Sequence, residues 1–95
     1  MNILEIIQLR THEREKVLGL YNFEKQLEEF KQSGKNILIP HSVMIYEHQN
    51  IRTDLSVHIS YKNVMPHNPK PSFGFLIQVM LKDWGLVNYS IWKQE

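Results

Sequence analysis

The chain has 95 residues, 42% hydrophobic and 22% charged, with eleven lysines and arginines against ten acids and a formal charge of +1. Folding removes about two-thirds of the surface of a chain this size from water, enough for one core, and the apolar content excludes intrinsic disorder. No basic block offers an electrostatic footprint for nucleic acid, and the lack of cysteine excludes disulfides, thiolate metal ligands and cysteine nucleophiles, as suits a reducing cytoplasm.

The opening stretch Met1 to Ile7 lacks the basic start and apolar run of a signal peptide, and no apolar run approaches the ~18 residues of a membrane span. A cytoplasmic chain with no membrane partner is expected. Residues Ile3 to Arg10 are rich in Ile and Leu at both parities, which predicts a strand covered on both faces. Thr11 is the expected N-cap of a first helix, with Glu13 and Glu15 at its positive end. Val17, Leu20, Phe23 or Glu24, Leu27 and Phe30 then recur at spacings of three and four and form one apolar stripe. Gly34 ends that helix as a left-handed C′ residue, and Gly19 inside it costs about 1 kcal/mol relative to alanine.

Asn36 to His48 reads as strand 2, with Ile37, Ile39, Val43 and Ile45 sharing one parity. Pro40 has no N–H for a ladder and assigns that strand to the sheet's edge. Leu55 to Tyr61 alternates apolar and polar without a break and is strand 3. The prolines of Asn63 to Pro71 predict a stiff loop. Ser72 caps a second helix whose buried face is Phe73, Leu76, Ile77, Met80, Leu81 and Trp84, with Gly85 as its end. Leu86 to Lys93 is strand 4, placing Val87, Tyr89 and Ile91 on one side and Asn88, Ser90 and Trp92 on the other.

The order βαββαβ predicts a single α+β domain over residues 1–95, a ferredoxin-like sandwich of a four-stranded antiparallel sheet with two helices on one face. The other face is left open, showing Ser56, His58 and Ser60 of strand 3 and Asn88, Ser90 and Trp92 of strand 4. Strand 1, central and beside strand 3, is apolar on that side too, so a second subunit is expected to cover it.

The element order, the short C-terminal strand and the stretch Gly85-Leu86-Val87-Asn88-Tyr89-Ser90-Ile91-Trp92 resemble the dimeric α/β-barrel superfamily, particularly proteins similar to the antibiotic biosynthesis monooxygenases. The resemblance spans the whole chain and implies two ferredoxin-like subunits packed open face to open face, dimerising into a barrel with a cavity. Some such proteins oxidise polycyclic or haem substrates without an added redox cofactor, and others have no known activity. The family's usual glutamate-arginine-tryptophan phrase at the end of the third strand reads Ser60-Tyr61-Lys62-Asn63 here. No catalytic residue therefore carries over by motif. Asn2, His67 and Trp84 are residue types such enzymes use, but no local pattern around them matches.

Five histidines, at 12, 41, 48, 58 and 67, raise the question of a metal, yet none forms a His-x-His or His-x-x-x-His pair, and no metal or cofactor is expected. His41 and His48, seven apart on one strand, face opposite ways. His58, between Ser56 and Ser60 on the face away from the helices, is the candidate catalytic residue, a base near neutral pH if that face lines a cavity. Tyr46, Asn88 and Trp92 are the candidate ligand-binding residues, with the two aromatics able to stack on a small planar molecule. Each has a plainer reading, His58 as a hydrogen-bonded interface group and the aromatics as interface anchors. Ser56, Ser60 and Ser90 lie in no Gly-x-Ser-x-Gly turn, and the glycines form no nucleotide-binding pattern. The functional expectation is a small-molecule-binding homodimer, for which the resemblance implies cofactor-free monooxygenase activity; the alternative is a non-catalytic homodimeric interaction or structural module.

Overall fold

A computed structural model describes residues 1–20, 23–34, 36–65 and 70–94. Its elements are β1 (Asn2–Arg10), α1 (Arg14–Leu20), α2 (Phe23–Gln32), β2 (Ser42–Glu47), β3 (Asp54–Tyr61), α3 (Phe73–Leu81) and β4 (Leu86–Gln94). The four strands form one antiparallel sheet in the order β2-β3-β1-β4, so β1 is central and β2 lies at an edge, as Pro40 required. This arrangement is compatible with a ferredoxin-like fold.

The pairing register assigns every strand residue to a face, because directly opposed residues point the same way. Ile7 lies opposite Val57 and Tyr89, and Leu9 opposite Leu55 and Val87, and this parity packs beneath the helices. Ile7, Leu9, Leu55, Val57, Ile59 and Tyr61 are buried there against Phe73, Ile77 and Leu81 of α3 and Val17 of α1. Burial of a large aliphatic side chain contributes roughly 1.5–3 kcal/mol, so this layer supplies most of the driving force for folding. Phe30 of α2 meets Phe73 edge to face at 5.7 Å, joining the two helical segments above the sheet.

Several local expectations change. Thr11 does not cap the first helix, which begins at Arg14; its hydroxyl accepts from the Glu13 amide (3.0 Å) and donates to the Trp84 carbonyl (2.8 Å), tying the end of β1 to the chain before β4. The described residues of the expected single helix form two segments, α1 and α2. The side chains of Leu20, Phe23 and Glu24, like Tyr21 and His67, lie outside the described residues. Gly34 has the expected positive φ of 70°.

Strand 2 is shorter than Asn36–His48. Leu38 instead exchanges hydrogen bonds with the chain before α3, its amide donating to the Pro71 carbonyl (2.9 Å) and its carbonyl accepting from the Phe73 amide (3.3 Å). Ile37 is buried, but Ile39 and Ile45 of the same predicted parity are exposed, because the helical layer leaves this edge uncovered. α3 stops at Leu81, three residues before the predicted Trp84, and the chain tightens there, the Trp84 amide donating to the Leu81 carbonyl (2.9 Å). Gly85 is required by space rather than by left-handed backbone: a Cβ there would stand 2.1 Å from the Arg10 carbonyl oxygen.

Candidate functional site

On the open face the register builds rows across the sheet. Tyr46, Ser56, Gln8 and Asn88 form one; Met44, His58, Ile6 and Ser90 the next; Ser42, Ser60, Leu4 and Trp92 a third. Four residues singled out from the sequence, Tyr46, His58, Asn88 and Trp92, thus do share this face. They are not all brought together. Tyr46 and His58 are neighbours on β2 and β3, with ring centroids 4.7 Å apart, whereas Asn88 and Trp92 sit on β4, beyond β1.

Several of the polar groups have local partners. His58 Nε2 lies 2.9 Å from Ser56 Oγ, Trp92 Nε1 donates to Ser90 Oγ (3.0 Å), and Asn88 Nδ2 donates to Gln8 Oε1 (3.3 Å). Ser42 and Ser60 hydrogen-bond to each other. A hollow of about 480 Å³ at one end of the face is lined by Tyr46, Ser56, Gln8, Asn88 and Leu86, but His58 and Trp92 do not line it. At its margin the Arg10 guanidinium grips Asp54 with two hydrogen bonds (2.8 and 3.1 Å). That hydrogen bond holds the Asp54 carboxyl below the usual carboxylate range and raises Arg10 in turn.

Of the other histidines, His48 uses Nδ1 to accept from the amides of Asn50 (3.1 Å) and Ile51 (3.0 Å), which shapes the turn into β3. The His41 amide donates to the Ser60 carbonyl (2.7 Å). Among the described residues no three His, Asp or Glu side chains are grouped to hold a metal ion.

A second constellation, marked by no motif, lies on the helix side of the sheet. Glu5 of β1 shares its parity with Ile3, Ile7 and Leu9 and is 1% exposed. Its Oε2 accepts from the Ser72 hydroxyl (2.7 Å) and from the Tyr89 hydroxyl, while Oε1 is buried with no hydrogen-bond partner. Ser72 also caps α3, accepting from the Phe75 amide (3.0 Å), and the Gly74 amide donates to the Tyr61 hydroxyl (3.1 Å). The carboxylate therefore sits at the positive end of a helix. Burial, and next the negative charge of Glu5, raise the Tyr61 phenol; burial and the hydrogen bond to Glu5 raise that of Tyr89. Both phenols stay protonated across the physiological range. The signal for this group was a lone Glu within an Ile/Leu-rich central strand, at the parity that faces the helices.

No protein-family model and no curated protein matches the sequence. Solved structures do resemble the fold. Rv0793 from Mycobacterium tuberculosis superposes with a TM-score of 0.59 at 10% identity, covering 100% of this chain and 96% of that one. A conserved protein from Methanosarcina mazei Go1 gives 0.57 at 15% identity, covering 100% and 94%. At these identities the likeness establishes the architecture, a small α+β fold on an antiparallel sheet, and leaves function to the residues. No helix among the described residues is long and apolar enough to cross a membrane.

Proposed function

We propose that the chain works as a homodimer whose two open sheet faces pack together around a small planar molecule, with Tyr46, Asn88 and Trp92 as contacts and His58 as the group able to move a proton. The observation that carries this reading is the charge pattern of the face. Its Arg10–Asp54 pair lies at one end, and the remaining described positions of that parity carry no Asp, Glu, Lys or Arg. Leu4 and Ile6 are half-buried, while Met44, Tyr46, Leu86 and Trp92 are exposed there. A face meant for water on a chain with this charge content would hold more ions and fewer large apolar groups.

Four strands at about 4.8 Å spacing and a length of about 25 Å give on the order of 500 Å² per copy, roughly 1,000 Å² for a pair. That meets the lower bound for a specific interface. Monooxygenase-type chemistry without an added cofactor belongs to this proposal through the resemblance to antibiotic biosynthesis monooxygenases. The alternative, a non-catalytic homodimeric module, is favoured by the engagement of His58 with Ser56 and Tyr46 within the face.

Light scattering at micromolar concentration tests the dimer: a mass near twice 11.4 kDa is expected, and a monomer mass would refute the proposal. His58→Ala then separates the two readings. An enzyme loses turnover and keeps its dimer, whereas a purely associative face loses affinity between copies.

A further inference from the structure

Granted the face-to-face dimer proposed above, on which this rests, we infer that pH governs it through His58: the copies hold together while both imidazoles are neutral, and protonation separates them. His58 occupies the middle of the open face. It lies on β3, beside the other central strand β1, in the middle one of the three rows described above. A pair of faces with about 1,000 Å² to bury reaches the size of a specific interface only when they overlap fully. Full overlap puts the two-fold axis through the centre of the face, where a surface meets itself. The second copy therefore offers His58 its own His58 and Ile6, in the part of the interface farthest from water.

These surroundings suit a neutral ring. Met44 and Ile6 lie directly opposite His58 on the neighbouring strands, Ser56 and Ser60 flank it on β3, and the Tyr46 ring stands beside it, centroids 4.7 Å apart. Tyr46 is the titratable group among them, and phenols ionise only near pH 10. The carboxylate of this face is Asp54, four residues along β3 and about 13 Å away, already gripped by Arg10. His48 stands past β2 at that same end, accepting two turn amides, and Lys62 follows β3 at the other end. An axis through the centre keeps the second copy's ends at the ends too. Within one copy a protonated ring is tolerated, because the half-buried side chain reaches water, Nε2 lies 2.9 Å from the Ser56 hydroxyl and Tyr46 presents a ring. The contacts with Ser56 and Tyr46 are common to both states and cancel. Association removes the water and brings no anion, so an imidazolium loses hydration with nothing in exchange. The separate copies thus bind protons that the dimer excludes. Affinity is full above the range in which imidazoles titrate and is lost as pH falls through it.

Sedimentation of the full chain at pH 8 and pH 5.5 reads the switch, since imidazoles change charge between the two. Two ordinary imidazoles that must both be neutral in the dimer raise its dissociation constant about a hundredfold over that interval. His58→Gln keeps a neutral hydrogen-bonding group and should give a dimer whose constant changes less than about threefold. Should that variant fail to associate, the unmodified chain decides: the His58 ring, followed by NMR, should titrate at lower pH as protein concentration rises and the dimer fills. A monomer at pH 8 overturns the dimer reading and the switch with it. A dimer at pH 8 whose affinity holds at pH 5.5 overturns the switch alone. So does a His58 titration independent of concentration, a pH dependence that survives in His58→Gln, or loss of the fold's circular dichroism at pH 5.5.

Discussion

Gly74→Ala measures how firmly the Glu5 carboxylate is held. In the first turn of a helix such a change ordinarily stabilises, by up to about 1 kcal/mol. Here the added methyl would stand 2.6 Å from Glu5 Oε1, 2.7 Å from Cδ and 2.9 Å from Oε2. The tip of a free glutamate would swing aside, but this one is buried and tied to Ser72 and Tyr89. Overpacking costs about 1–3 kcal/mol, and weakening a hydrogen bond to a charged group a further 1.5–3. Set against the helix gain, the net loss should be about 2–4 kcal/mol, a fall in melting temperature on the order of 10–25 °C for a domain of this size. Urea unfolding followed by circular dichroism reads it directly, as a lower midpoint at unchanged slope. The decisive comparison places Gly74→Ala on a Glu5→Ala background. With the carboxylate gone, the methyl has room and should be neutral or stabilising, giving a coupling energy of at least about 1.5 kcal/mol. If Gly74→Ala alone is neutral, or its cost persists without Glu5, the carboxylate is not pinned as described.

Gly85→Ala should cost about 3 kcal/mol or more, because the obstacle is the Arg10 carbonyl, backbone that cannot yield without breaking the β1–β4 ladder; a thermal melt checks it. Trp92→Lys or Met44→Glu should leave the circular dichroism of the monomer unchanged, since both side chains are more than half exposed, yet weaken self-association at least tenfold in sedimentation; an unchanged mass would remove the proposed interface. Arg10→Gln should return Asp54 upward toward the ordinary carboxylate range in an NMR titration. Because the folded pKa of Asp54 is depressed, any stabilisation by this pair is present above the unfolded value and lost as pH falls through the lowered one, below about pH 4. Stability of Arg10→Gln at pH 7 should barely change, because the Arg10 side chain is exposed and water screens the pair.

The sequence displays β3 plainly because one face of that strand is buried and the other is not, so Leu55, Val57, Ile59 and Tyr61 alternate with Asp54, Ser56, His58 and Ser60. The central place of β1 and the edge place of β2 were legible for related reasons, apolar residues at both parities in one and Pro40 before the other. The start of β2 was not, since Ile37 to Ile39 have strand-like side chains while the backbone partner of Leu38 is the chain before α3, a tertiary fact that no local pattern encodes. Gly85 looked like a helix cap because sequence cannot distinguish a glycine needed for φ from one needed for close approach. Glu5 was hidden by its neighbours, for an Ile/Leu-rich strand draws attention to its aliphatic residues and away from one carboxylate among them.

The buried carboxylate also bears on the order in which the molecule assembles. The Tyr89 hydroxyl that donates to Glu5 lies 84 residues away in sequence, and the Ser72 hydroxyl 67. The β2–β3 hairpin can close early, across a short turn, but β1 must wait for two distant strands before its central position exists. Contacts of such separation slow folding relative to a helical bundle, because loop entropy is lost before those contacts form. Until β4 docks, Glu5 has at most the Ser72 hydroxyl and the start of α3, and lacks the second donor that Tyr89 brings. Its carboxylate therefore discourages a sheet that lacks its last strand, and completion of the sheet and satisfaction of the charge become one event.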